Sequence, residues 1–341
     1  MTTVSPSLQR IGQLDGVRGV AILAVFLNHA LNAKLLWMGV DLFFILSGFL
    51  ITGVLLNAKQ HSLRGYFAKF YARRARRILP PYLLTLLVAS AIFGLAWTQH
   101  WYFYILLTNL IGPLHIPAPV AFAPLWSLAV EEQFYLFWPF AVYFLSERRL
   151  AQLAVSLVVL APMLRAVFHF QSYEPVYCLT PFRMDLLAVG ALLCLAYLHM
   201  PSRIERLGPT FGMFSAVSGI GGLVLLDRCG ITTGGNTRIG NSLILECTLF
   251  VCLGVMLWAL SGRSVRVLQW EPLRYIGKIS YTMYLVHRGV LFLCSMRFDE
   301  HVAAIVGFSI TVAYASASWF LMEKRLLVHH RRPAILAPAT S

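Results

Sequence analysis

Polar residues in this chain are sparse and bunched. Between the bunches run apolar stretches at roughly 17–31, 39–56, 79–97, 127–147, 149–168, 182–199, 210–227, 243–260, 278–296 and 303–322. A helix needs about 20 apolar residues, with a range of about 17–25, to cross a hydrocarbon core about 30 Å thick. Ten such stretches in 341 residues leave almost nothing for a soluble domain. The pattern predicts an all-α, polytopic integral membrane protein with about ten transmembrane helices around a polar central cavity. One domain spans 1–341, with short tails at about 1–13 and 324–341.

The basic residues alternate with the stretches. With the N-terminus on side one, that side receives Arg10, then Lys59, Arg64, Lys69, Arg73, Arg74, Arg76 and Arg77. It also receives Arg148, Arg149, Arg203, Arg206, Arg263, Arg266, Arg274, Lys278, Lys324, Arg325, Arg331 and Arg332. Side two receives only Lys34, Arg228, Arg238 and Arg297. Positive loops stay in the cytoplasm, so both termini are expected inside. The formal net charge of +14 is therefore a topology signal and does not point to nucleic acid.

Composition agrees. Hydrophobic residues make up 58% of the chain and charged ones 12%, against about 25% charged in ordinary soluble domains. Residues 1–13 are polar, and the first apolar run ends without an Ala-x-Ala site, so it reads as a retained span rather than a cleaved signal. The six cysteines have no metal-binding spacing, and no metal is expected. Most sit in apolar runs as small hydrophobes; Cys178 and Cys229 share a side, which leaves a disulfide as the lesser alternative. Two connecting segments differ from the others. Segment 57–78 is strongly basic, whereas 98–126 has no charge but many aromatics and prolines, and its stretch 101–112 is too short to span. An interfacial aromatic belt is favoured there over a sugar-binding platform.

Several spans carry groups that lipid penalises. In LDGVRGVAILAVFLNHA, Arg18 and His29 are eleven helical steps apart, about 16 Å along the axis and about 20° around it. Asp15 falls about 60° from Arg18, so the three share a face that must meet protein or a wet cavity. In GVDLFFILSGFLIT, Asp41 opens a span while Ser47 and Gly48 read as packing residues, a nucleophilic Ser47 being the lesser alternative. In YARRARRILPPY the arginines either orient the span and touch anionic lipid or grip a phosphorylated ligand. Pro80 and Pro81 are expected at the start of the third span, where proline costs little. Glu131 and Glu132 lie 100° apart, so at least one needs a buried partner. Arg183 and Asp185 read as another buried pair at a span edge, and Ser280, Tyr284 and His287 as one polar stripe. The Asp15, Arg18 and His29 face favours a functional role over a structural pair, whereas the groups at 131–132, 183–185 and 280–287, taken singly, read as polar glue between helices.

Taken together, LDGVRGVAILAVFLNHA, GVDLFFILSGFLIT, RRARRILPPY, LWSLAVEEQFYLFWP, FRMDLLAVGALL and IGKISYTMYLVH resemble, in order, the acyltransferase 3 family of bacterial membrane O-acyltransferases. The resemblance implies transfer of an acyl group, usually acetyl from acetyl-CoA, to a hydroxyl of a cell-envelope or exported sugar. It implies His29 as the catalytic residue with Arg18 its partner in the Arg-x10-His motif. Arg74 and Arg77, with Arg73 beside them, match the element linked to the acyl donor. Asp15, Asp41, Glu131, Glu132, Arg183 and His287 are supporting polar positions. The expected partners are acyl-CoA as donor substrate, a carbohydrate acceptor and the bilayer, with no permanently bound cofactor and no appended soluble domain. A general-base and an acyl-histidine route are both open, as are the acceptor and the oligomeric state. The same buried ionisable groups would suit a transporter or flippase of an acylated or anionic metabolite, the second reading.

Overall fold

The computed structural model describes residues 11–168, 170–232 and 236–328. Arg10, Arg331 and Arg332 of the charge count lie outside the described residues, with most of both expected tails. Among the described residues there is no strand, and ten helices of 16 to 31 residues follow one another. They are α1 (Gly12–Leu31), α2 (Gly39–Ala58), α3 (Leu63–Phe93), α4 (Leu125–Phe144), α5 (Glu147–Val167), α6 (Met184–His199), α7 (Pro201–Arg228), α8 (Arg238–Ser261), α9 (Glu271–Ser295) and α10 (Glu300–Ser318). Each overlaps one predicted apolar stretch, in order. By length and apolar composition, seven segments can cross a membrane: Gly12–Leu31, Leu36–Ala58, Leu63–Phe93, Glu147–Val167, Pro201–Arg228, Arg238–Ser261 and Glu300–Leu326. The remaining three are α4, α6 and α9. Helix α6 has only 16 residues, and α4 and α9 carry much of the polar chemistry described below. The protein is a multi-pass helical membrane protein.

Helix α3 corrects two expectations. The basic stretch after residue 62 is no loop: it is helical from Leu63, with the Ser62 hydroxyl accepting from the Gly65 N–H at 3.3 Å. Pro80 and Pro81 therefore lie inside a helix of 31 residues and not at its start. They take away the N–H groups that the carbonyls of Arg76 and Arg77 would otherwise receive. Two side chains bond to neighbouring carbonyls of this stretch. The Tyr281 hydroxyl donates to the Ile78 carbonyl at 3.1 Å, and Thr85 donates to Pro81 at 2.8 Å. The segment between α3 and α4 holds no long helix, its regular pieces being 3-10 helix at Ala96–Ile105, Thr108–Leu110 and Val120–Phe122. Its Phe103, Tyr104 and Phe122 pack with Leu86, Leu125 and Leu285 as a lid of rings over α3, α4 and α9.

Packing is set by small residues and buried ion pairs. Helix α2 is buried nearly all round and lies along α6. A Cβ built at Gly48 would sit 1.9 Å from the Leu187 carbonyl oxygen, and one at Gly190 2.0 Å from that of Ile45. Helices α1 and α9 approach as closely: a Cβ at Gly277 would fall 1.7 Å from the Asp15 carbonyl oxygen. Lipid tails are as apolar as leucine, so close backbone approach replaces the hydrophobic effect as the packing force. Side chains pointing outward are apolar; Leu87 is 69% exposed and Phe214 71%.

Asp41 and Arg183, both fully buried, form an ion pair, and Thr248 donates to the second Asp41 oxygen at 2.8 Å. Asp185 pairs instead with Arg165 at 2.7 Å, and Arg165 also reaches Glu246 and the Phe182 carbonyl. The expected Arg183–Asp185 pair is thus exchanged for two others, because residues two apart in sequence do not face each other at a helix start. These bonds tie α2, α5, α6 and α8 together. All six cysteines are free; Cys178 is buried and Cys229 exposed, so the disulfide is not made.

Gly190→Leu is expected to cost at least the about 1–3 kcal/mol typical of overpacking, read as a lower melting temperature of the detergent-solubilised protein. Asp41→Ala leaves Arg183 buried without its carboxylate and should cost about 3–5 kcal/mol. The double change Asp41→Leu with Arg183→Leu should recover part of that loss. An Asp41→Ala protein that melts with the wild type would show that the pair does not hold these helices.

Candidate functional site

The polar faces of α1, α2, α3, α4 and α9 meet at a cavity of about 100 Å³. Arg18 comes from α1, Ser47 from α2, Arg74 and Arg77 from α3, Glu131 and Tyr135 from α4, Ser280 and Tyr284 from α9. The spacing in sequence explains the convergence. Arg74 and Arg77 are three residues apart and so lie on the same side of α3, as do Glu131 and Tyr135, four apart, on α4. Ser280 and Tyr284 are the expected stripe of α9.

The charges are unequal. Arg18 donates to Asp15 at 3.1 Å, one turn earlier on α1. Glu131 is bound by neutral groups: Ser47 donates to one oxygen at 2.5 Å, and the Tyr135 hydroxyl lies 3.2 Å from the other and 2.9 Å from the Ser47 hydroxyl, sharing its one hydrogen between them. The Arg74 guanidinium lies over the Tyr135 ring, 4.5 Å from its centroid. Among the described residues neither Arg74 nor Arg77 has a carboxylate within 4 Å. The cavity thus presents two guanidinium groups not committed to ion pairs, which suit an anion or a carbonyl oxygen gaining negative charge.

Beyond the cavity stands a pair of histidines. His287 is fully buried on α9, and its Nε2 lies 3.1 Å from Nδ1 of His29 on α1. The ring planes meet at 42° with centroids 5.1 Å apart, which is an edge contact and not a stack. Tyr284 connects the two places. Its hydroxyl lines the cavity, lies 2.5 Å from the Ser127 hydroxyl and donates to the Pro124 carbonyl at 3.0 Å. Its backbone carbonyl is 2.8 Å from Nδ1 of His287.

The predicted site residues are therefore sorted into three groups. Arg18, Arg74, Arg77 and Glu131 line one cavity, with Asp15 paired to Arg18, and His29 meets His287. Asp41 and Arg183 meet each other away from the cavity. Arg73 is exposed and does not line it. Glu132 is adjacent to Glu131 yet absent from the lining, and its Oε1 is buried without a hydrogen-bond partner among the described residues. Ser47, expected to pack, belongs to the site; the packing reading holds for Gly48. Tyr135 and Arg165 were not anticipated. Tyr135 is signalled by its place one turn after Glu131, and Arg165 by being an arginine inside an apolar run. No cluster of three or more His, Cys, Asp or Glu suited to a metal occurs among the described residues. A wider groove of about 540 Å³ between α7 and α8 is lined almost wholly by apolar side chains and holds no carboxylate or histidine.

No solved structure is a significant match to the chain. The peptidoglycan O-acetyltransferase OatA of Listeria monocytogenes is 31% identical over 324 residues, covering 85% of this chain and 51% of that protein. The O-acetyltransferase OatA of Staphylococcus aureus is 28% identical over 309 residues, covering 82% of this chain and 50% of that protein. The chain spans about half the length of these relatives. The sequence model of the acyltransferase domain matches residues 11–322, which is nearly every described residue and includes every site position named above. The protein belongs to the acyltransferase 3 family of membrane proteins.

Proposed function

We propose that this protein is a membrane O-acetyltransferase that moves an acetyl group from cytoplasmic acetyl-CoA to a hydroxyl of a cell-envelope sugar. Its single domain would sit in the bacterial cytoplasmic membrane, with about ten crossings and both termini in the cytoplasm. The observation that carries the reading is the cavity in which Arg74 and Arg77 stand without carboxylate partners, next to a histidine pair. The relatives' names support the reaction and, for one of them, a glycan of the cell wall as acceptor. The asymmetry of basic loops supports the orientation.

In this reading the thioester end of the donor enters the cavity, whose volume suits an acetyl group and not a nucleotide. The head group remains at the mouth, along the basic first half of α3 where Arg73 is exposed. The sugar hydroxyl oxygen attacks the thioester carbonyl carbon while His29 takes the hydroxyl proton. Negative charge on the carbonyl oxygen is met by the guanidinium groups of Arg77 and Arg74, the latter held over the Tyr135 ring. The carbon–sulfur bond then breaks and the CoA thiolate leaves, receiving a proton. Arg18, held by Asp15, adds a third positive charge. No resident cofactor is needed.

The test is transfer of radiolabelled acetyl from acetyl-CoA to an envelope glycan by purified protein in proteoliposomes. His29→Ala should lower the rate by about 10²–10⁴-fold. Arg77→Ala should lower it by about 10²–10³-fold, the usual cost of losing one oxyanion donor. Both variants should accumulate at wild-type levels. Failure of the wild type to release CoA or label any glycan, or full activity without His29, would overturn the reading.

A further inference from the structure

His287 and His29 face each other through specific nitrogens, and the surroundings decide which of these carry protons. The Tyr284 carbonyl oxygen only accepts hydrogen bonds, so His287 Nδ1, 2.8 Å away, must carry a hydrogen. A neutral imidazole has one N–H, which leaves His287 Nε2 as a bare acceptor. That acceptor lies 3.1 Å from His29 Nδ1. Two bare nitrogens at that distance would repel, so His29 Nδ1 carries a hydrogen directed at His287, with the backbone carbonyl of Val25, one turn earlier on α1, as a second acceptor for the His29 ring. His29 Nε2 is then the nitrogen with a free lone pair. The neutral form of the pair follows from its setting: His287 is wholly buried, and among the described residues no carboxylate lies within 4 Å of either ring. A charge there would stand unanswered beside Arg288, the next residue of α9.

We infer that His287 is a positioning residue which fixes the tautomer of His29 and leaves His29 Nε2 as the atom that receives the acceptor's proton. The inference rests on the general-base role proposed above. The relay differs from one ending in a carboxylate, because a neutral imidazole orients its neighbour without supplying negative charge to stabilise the imidazolium that forms. Its anchor is also shared. The residue whose carbonyl holds His287 presents its own hydroxyl to the arginine cavity, so one turn of α9 positions the base and walls the donor site.

The experiment uses the full chain, labelled with ¹⁵N-histidine, in detergent or lipid. His29 is identified by the resonance lost in His29→Ala. Wild-type His29 should carry its proton on Nδ1, and in His287→Phe, which fills the space without an acceptor, the proton should redistribute between the two nitrogens. In acetyl transfer, His287→Phe should lower kcat by about tenfold or more, short of the about 10²–10⁴-fold loss of the base itself, with KM for both substrates nearly unchanged. His287→Gln offers an amide oxygen to His29 and an N–H to Tyr284, and should restore most of the rate. A wild-type His29 protonated on Nε2 would overturn the inference, as would a His287→Phe protein with wild-type kcat. The spectrum needs neither donor nor acceptor, so it decides the tautomer even where no acetyl transfer is found.

Discussion

A charge enclosed by apolar helices has to be answered by another group of the same protein, because lipid tails offer nothing and water is far away. The helix arrangement here follows from that constraint. Asp41 and Arg183 join the first turn of α2 to the start of α6. Arg165 draws Asp185 and Glu246 together and so fastens α5 to α6 and α8. On the other side of the bundle, Glu323 accepts from Thr282 at 2.8 Å and from Ser318 at 3.0 Å, which fixes α9 against the end of α10. None of these contacts adds much net stability over a well-packed apolar alternative, but breaking one partner away is costly. They therefore select one arrangement of helices among many that would bury leucine equally well.

The cavity is where the constraint is relaxed. Arg183 is held by an acid and a pair of aromatic rings, whereas Arg74 is held only by the face of Tyr135 and the nearby Phe70. The one carboxylate lining the cavity, that of Glu131, is engaged by hydroxyl groups. The same residue type thus does two jobs in one molecule. Where arginine is matched, it is structural; where it is left with ring faces and hydroxyls, it retains the capacity to bind.

Sequence reading recovered what is local. The ten apolar runs became ten helices because length and apolarity are properties of short segments, and 101–112, read as too short to span, forms no long helix. The Arg18–Asp15 contact and the inward stripe of Ser280, Tyr284 and His287 were legible from helical geometry alone. What could not be read depends on partners far along the chain. Pro80 and Pro81 lie within a helix against which Tyr281, two hundred residues later, packs with its hydroxyl on the Ile78 carbonyl. Arg183 chooses Asp41 over Asp185, and Ser47 turns from a packing residue into a hydrogen-bond donor because α4 delivers Glu131 beside it. His29 and His287 were each visible as polar residues in a span, while their contact comes from α1 and α9 running along each other.

The size of the cavity bears on fidelity. A volume of about 100 Å³ holds on the order of a few water molecules, since a water needs about 10–15 Å³ as a minimum and takes about 30 Å³ in the liquid. Whatever enters must displace that water and take over its hydrogen bonds to the arginine, serine and tyrosine side chains of the wall, so a guest without matching polar atoms loses more than it gains.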